Sequence, residues 1–202
     1  MELTDLGFEA NYSVERPDSR PRGSVHEFRQ PRRRSGAGEL VLETGSEYLW
    51  VAVSPVDGAP WIGGFEFGPG RLTGVFTTPC PEVVCVIARG QGFWVPVLAP
   101  GDFEIIGSIP IQEIFAVPGK RVLVFADYTG LEAYGGSGFL WRTDRLSWDG
   151  LKITEVTAEV IRGTAWDSPA NREVPFAVDT ESGVSEGGAS PDKYGAGQAR
   201  GT

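Results

Sequence analysis

The chain has 202 residues and contains one histidine, His26, two cysteines and one methionine. With a single imidazole, a Ser-His-Asp or Cys-His catalytic set has no second histidine to draw on, and His26 lies in a polar N-terminal stretch remote from the apolar body. Metal centres that need two histidines are excluded outright. Cys80 and Cys85 are separated by only four residues, with no further Cys or His pair nearby, which makes a poor zinc site. Without an export signal both thiols are expected to be reduced, and Cys85, inside the apolar run Val83–Ala88, reads as a small hydrophobe. No metal is expected.

Long apolar runs are also missing. No window approaches the roughly 18 apolar residues that a membrane helix requires. Met1–Ala10 holds three carboxylates and no hydrophobic segment, so no secretory leader is predicted, and Arg32-Arg33 is not followed by the apolar stretch of a twin-arginine signal. The expected location is cytoplasmic, with no membrane partner. There is no Gly-rich phosphate loop ending in Lys, no dinucleotide fingerprint, and no amphipathic helix with a cap at its start and glycine at its end. No cofactor is expected.

Positive charge is scarce. Eighteen Lys and Arg face 27 Asp and Glu, a formal net charge of -9. Phosphate binding needs a concentrated basic surface, so nucleic acid is not an expected partner. The exception is local: residues 1–38 carry seven Arg against six carboxylates, with Arg29, Arg32, Arg33 and Arg34 clustered around Pro31. Pro17, Pro21 and Pro31, without hydrophobic periodicity, predict a disordered Arg/Pro-rich arm over 1–38, and its charges read as solvated. The Gly-rich segment 189–202 reads as a second disordered tail. Between them, 39–188 is expected to be one all-β domain.

What this body does contain is repetition. Val84-Cys85-Val86-Ile87-Ala88 with Gly92-Phe93 matches Val122-Leu123-Val124-Phe125-Ala126 with Gly130-Leu131 at a constant offset of 38 residues. A weaker copy begins at Tyr48-Leu49-Trp50-Val51-Ala52 and a fainter one at Val160-Ile161. Repeats of about 37 residues, each with several short strands between Gly, Pro and Asp turns, predict stacked antiparallel β-meanders. Gly130–Gly135 followed by Gly138-Phe139-Leu140-Trp141 resembles the middle of a propeller blade; a two-sheet sandwich is the alternative. Strands are expected near 39–44, 47–54, 61–67, 72–77, 82–88, 92–98, 103–106, 111–117, 121–127, 130–135, 139–142, 145–148, 151–156, 159–166, 172–179 and 183–187. A tight hairpin is expected at Trp148-Asp149-Gly150-Leu151.

Two residue sets could carry function. Asp127, Glu132, Asp144, Asp149 and Asp167 lie in the best-patterned region, where two carboxylates at one cleft would suit glycosidic chemistry. Read locally, Asp149 is a turn former, Asp127 and Asp167 end strands, and Glu132 alternates outward. The second set is aromatic: Trp94, Trp141, Trp148 and Trp166 recur through the repeat. Outward rings would form a stacking surface, whereas inward rings are core. The expected binding residues are Trp148 and Trp141, with Asp149 at the turn and Arg142 and Arg145 flanking it to meet an acidic group. The function these features favour is a non-catalytic protein-interaction module with a protein partner, or a homodimer through exposed strand edges. The alternative is a carboxylate-dependent hydrolase or a carbohydrate-binding protein.

Overall fold

The computed structural model describes residues 2–17, 21–30 and 47–189. Within them are 17 β-strands, one short 3-10 turn (Pro100–Asp102) and no α-helix, so the all-β expectation holds. No helix among the described residues is long and apolar enough to cross a membrane. The chain divides into two compact units, Met1–Ile109 and Pro110–Thr202, and the boundary expected at residue 39 falls inside the first of them.

The first unit is built from two sheets. One takes the order β1 (Leu3–Thr4), β6 (Gly74–Phe76), β7 (Val83–Ala88), β8 (Gln91–Pro96), β9 (Glu104–Ile105); the other takes the order β2 (Tyr12–Glu15), β4 (Tyr48–Pro55), β5 (Trp61–Glu66), β3 (His26–Phe28). Strict alternation explains β4: Leu49, Val51 and Val53 are buried, while Tyr48, Trp50 and Ala52 on the opposite face are half-buried. β7 is buried at every position, as an inner strand apolar on both faces should be. Leu49, Val51, Val53, Phe65, Val84, Val86, Phe93 and Val95 share one core with Phe28 and Tyr12.

Those last two residues correct the sequence reading of the N-terminal segment. It was expected to be disordered throughout, yet β1 runs parallel to β6, β2 antiparallel to β4 and β3 parallel to β5. The physical reason is anchoring by isolated aromatics. Phe28 is 1% exposed and stacks on Phe65 with ring centroids 4.3 Å apart, and the Tyr12 hydroxyl donates to the Val83 carbonyl at 3.1 Å. Burial raises the Tyr12 phenol well above its ordinary range. His26 meets Trp61 edge to face at 5.8 Å. The expected strand at 39–44, the Arg32–Arg34 cluster and the tail from 190 lie outside the described residues.

The second unit also has two sheets, both antiparallel meanders in sequence order. They are β10 (Glu113–Ala116), β11 (Val122–Ala126), β12 (Leu131–Gly135), β13 (Gly138–Arg142), and then β14 (Leu151–Val156), β15 (Val160–Asp167), β16 (Arg172–Asp179), β17 (Ser185–Gly187). Their core joins Val124, Leu131, Trp141, Leu146, Ile161, Ala165, Phe176 and Val178. Gly183, at φ +71°, lies so close under Trp141 that an added Cβ would sit 2.7 Å from the indole, a position that only glycine fills without strain.

None of the four sheets closes on itself. The two best-matched copies of the sequence repeat, β7 and β11, are both inner strands, each hydrogen-bonded on either side by antiparallel neighbours. Segment 145–148 is not the strand it was expected to be. Its amides are satisfied outside any ladder: Leu146 and Ser147 donate to the Thr129 carbonyl, and Trp148 donates to the Trp166 carbonyl at 3.1 Å. The Ser147 hydroxyl adds a bond to the Gly150 carbonyl at 2.7 Å. The expected hairpin at 149–150 is therefore a connection between two sheets, with Gly150 at φ +133°.

Candidate functional site

Each expected site residue has a definite structural position, and most are engaged by their own neighbours. Asp127 ends β11, and its buried Oδ1 accepts the Thr129 amide at 2.6 Å, the Thr129 hydroxyl at 2.8 Å and the Gly130 amide at 2.9 Å. Its Oδ2 accepts from the Arg142 guanidinium at 3.3 Å. Glu132, buried on β12 directly opposite Arg142 on β13, has Oε2 4.0 Å from the same guanidinium and accepts the Tyr134 hydroxyl at 3.3 Å. The structure thus gathers Asp127 and Glu132 around one arginine. That arrangement gives Asp127 four donors, three of which close its own turn, so the carboxylate is committed to a structural network.

The other candidates are dispersed. Asp167 caps the turn after β15 by accepting the Ala170 amide at 3.3 Å. Asp144 is exposed. Arg145 does not meet an acid; it donates to the carbonyls of Ser147 at 2.9 Å and Trp148 at 2.7 Å. Trp141 is a core residue, 6% exposed, and its indole donates to the Thr180 carbonyl at 3.0 Å. Trp94 is buried and faces Cys85 across the β7–β8 ladder. Trp148 is half-buried beside the 149–150 turn. Cys80 and Cys85 are both free thiols, and burial pushes the Cys85 thiol far above its ordinary range.

What remains is a recess of about 250 Å³ on the face of the β14–β17 sheet that looks away from the core, lined by Asp149, Gly150, Leu151, Lys152, Thr164, Trp166 and Glu173. Its construction follows from register. β15 points Ile161, Gly163 and Ala165 to the buried side, which turns Arg162, Thr164 and Trp166 outward. Ladder pairing then sets Trp166 opposite Glu173 on β16, and Thr164 opposite Lys152 on β14. The Trp166 amide donates to the Gly150 carbonyl at 3.0 Å and also meets the Ser147 hydroxyl at 3.0 Å, which ties the Asp149-Gly150 turn to the indole's own backbone. Gly150 carries no side chain to fill the space beside the ring.

Trp166 and Asp149 were among the residues singled out in the sequence; Lys152, Thr164 and Glu173 were not. One signal did point there: Trp166 shares its strand face with Thr164 and Arg162, so its alternation partners on β15 are polar. Comparison with protein-family models, with curated proteins and with solved structures found no match.

Proposed function

We propose that this protein is a non-catalytic interaction module that engages a segment of another protein on the outer face of the β14–β17 sheet. The observation that carries this reading is the half-buried indole of Trp166, set in a recess and walled by charged and hydroxyl side chains. Tryptophan supplies a large rigid contact area at low entropic cost, and a central aromatic inside a polar rim is the usual anatomy of a binding hot spot. A volume of about 250 Å³ suits one inserted side chain better than a drug-sized ligand, whose pockets run larger. The hydrolase alternative draws no such support, since Asp127 and Glu132 are held by Arg142. In the same reading, the antiparallel meanders β10–β13 and β14–β17 of the second unit are blade-like repeats, and β14–β17 presents the binding face.

Selection of displayed random peptides on the full chain tests the proposal. Peptides retained by the native chain are expected to be lost by at least about tenfold on Trp166→Ala, a fair loss for an aromatic anchor. The melting temperature of that variant serves as its folding control. A selection that returns no Trp166-dependent peptide contradicts the reading.

A further inference from the structure

We infer that the Trp166 recess is shaped for a cationic side chain of the partner, an arginine or lysine laid across the indole between the carboxylates of Asp149 and Glu173. The inference rests on the reading that this face binds protein, and it names the chemical group that enters.

Geometry is the first support. Glu173 is the direct ladder partner of Trp166, and directly paired residues share a face with their side chains about 5 Å apart at Cβ. Asp149 lines the recess from the β14 side of β15, where the following residue, Gly150, accepts the Trp166 amide at 3.0 Å. The recess that holds the indole is thus lined by one carboxylate from the turn that leads into β14 and one from β16. The face of an indole is the preferred aromatic seat for a cation, and carboxylates beside it add charge-assisted hydrogen bonds to a guanidinium or ammonium.

A contrast within the same unit is the second support. Asp127, Asp167 and Asp179 each accept bonds that close a local turn, and Glu132 is held by Tyr134 and Arg142. Among the described residues, the carboxylates of Asp149 and Glu173 make no hydrogen bond or ion pair, and both side chains are exposed at the recess. They make no visible contribution to the fold, and both line the recess that holds Trp166.

Charge balance is the third. The recess holds two carboxylates and one ammonium, Lys152, for a net charge of -1. Lys152 pairs with Thr164, two residues along β15 from Trp166, so its backbone position is displaced along the sheet from the Trp166–Glu173 pair. A bound cation would neutralise the excess, and Lys152 with Thr164 would remain as donors for a carbonyl or carboxylate of the same bound segment. The site therefore favours a basic side chain on an extended peptide over an acidic one, which the carboxylates would repel.

The test uses the full chain and two small probes: N-acetyl-L-arginine amide and its uncharged isostere, N-acetyl-L-citrulline amide. Binding is followed by the indole N–H resonance of Trp166, assigned by its loss in Trp166→Phe. The arginine probe is expected to move this resonance in a saturable way. The citrulline probe should bind at least about fivefold more weakly, as loss of a cation–π contact and its flanking charges implies. Asp149→Asn with Glu173→Gln should abolish the difference between the two probes. Equal responses to both probes, or no response to either, would overturn the inference. Displayed peptides that depend on Trp166 but tolerate replacement of every basic residue would remove the cation while leaving the interaction module standing. A saturable response to glucose or N-acetylglucosamine that exceeds the arginine response would likewise overturn the inference, in favour of a sugar.

Discussion

The indole of Trp166 and the carboxylate of Glu173 face one another across the β15–β16 ladder, on the side of the sheet that turns away from the core. Trp141, an equally apolar residue on β13, points the other way and gives its N–H to the Thr180 carbonyl at 3.0 Å. These two tryptophans differ in place: one fills the core of the second unit and the other lies half-buried on the outer face of β14–β17.

The Asp127 network is structural, and its loss should register in stability. Asp127→Ala strands the Thr129 and Gly130 donors and the Arg142 guanidinium, which costs about 2–3 kcal/mol by the usual magnitudes for hydrogen bonds to a charged group. Arg142 is 45% exposed and can rehydrate, so Arg142→Gln should cost less, about 1 kcal/mol or below. Urea unfolding of the two variants measures both. A larger loss for Arg142→Gln than for Asp127→Ala would show that the arginine and not the turn is the centre of the network.

The N-terminal strands should be indispensable to the first unit. Phe28 is fully enclosed and stacked on Phe65, so Phe28→Ala is expected to destabilise by about 3–5 kcal/mol, the range for truncating a buried aromatic. Deleting residues 2–30 should abolish cooperative unfolding of that unit altogether. An unchanged melting curve for the deletion would restore the picture of an independent arm.

Gly183 is fixed by two constraints at once. Its positive φ and its closeness to the Trp141 ring mean that Gly183→Ala should destabilise by at least about 1–3 kcal/mol. Near-ultraviolet circular dichroism should lose part of its tryptophan signal in the same variant. A neutral outcome in both measurements would contradict the packing of Gly183 under Trp141.

Acid should loosen the turn after β16. The Asp179 carboxyl is held below its ordinary value of 3.8, first by the hydrogen bond from the Ser182 hydroxyl and then by the Ser182 amide. A carboxyl depressed in the folded state stabilises above its unfolded pKa, and that contribution fades as pH falls through the lower folded value. The melting temperature of the native chain should therefore fall more steeply than that of Asp179→Asn between about pH 5 and pH 2. Parallel pH profiles for the two proteins would remove the assignment.

Much of the strand pattern was legible because it rests on local alternation. β4, β11, β12, β15 and β16 follow their hydrophobic periods to within a residue or two, and Gly, Pro and Asp mark their ends. Strands β1–β3 were not legible, since each is two to four residues long and pairs with chain 37 to 72 residues away in sequence. Two of them run parallel to their partners, so no hairpin turn announces them. Segment 145–148 misled for the converse reason: its Leu, Trp and Asp-Gly turn read as a hairpin, but Thr129, Trp166 and the Ser147 hydroxyl absorb its backbone. The recess was half legible. Trp166 and Asp149 stood out as an aromatic and a turn residue, whereas Glu173 joins them only through the β15–β16 register, which is set by the turn that Asp167 caps and Asn171 closes at φ +50°.

The measurement that tests the account most directly is the affinity of a selected peptide for the native chain and for Trp166→Ala, by calorimetry, with both proteins shown to melt alike. Removing the indole is expected to lower the affinity by at least about tenfold, the weight of a central aromatic anchor. Equal affinity for both proteins would place the interaction elsewhere and contradict the claim that the β14–β17 face is the binding surface.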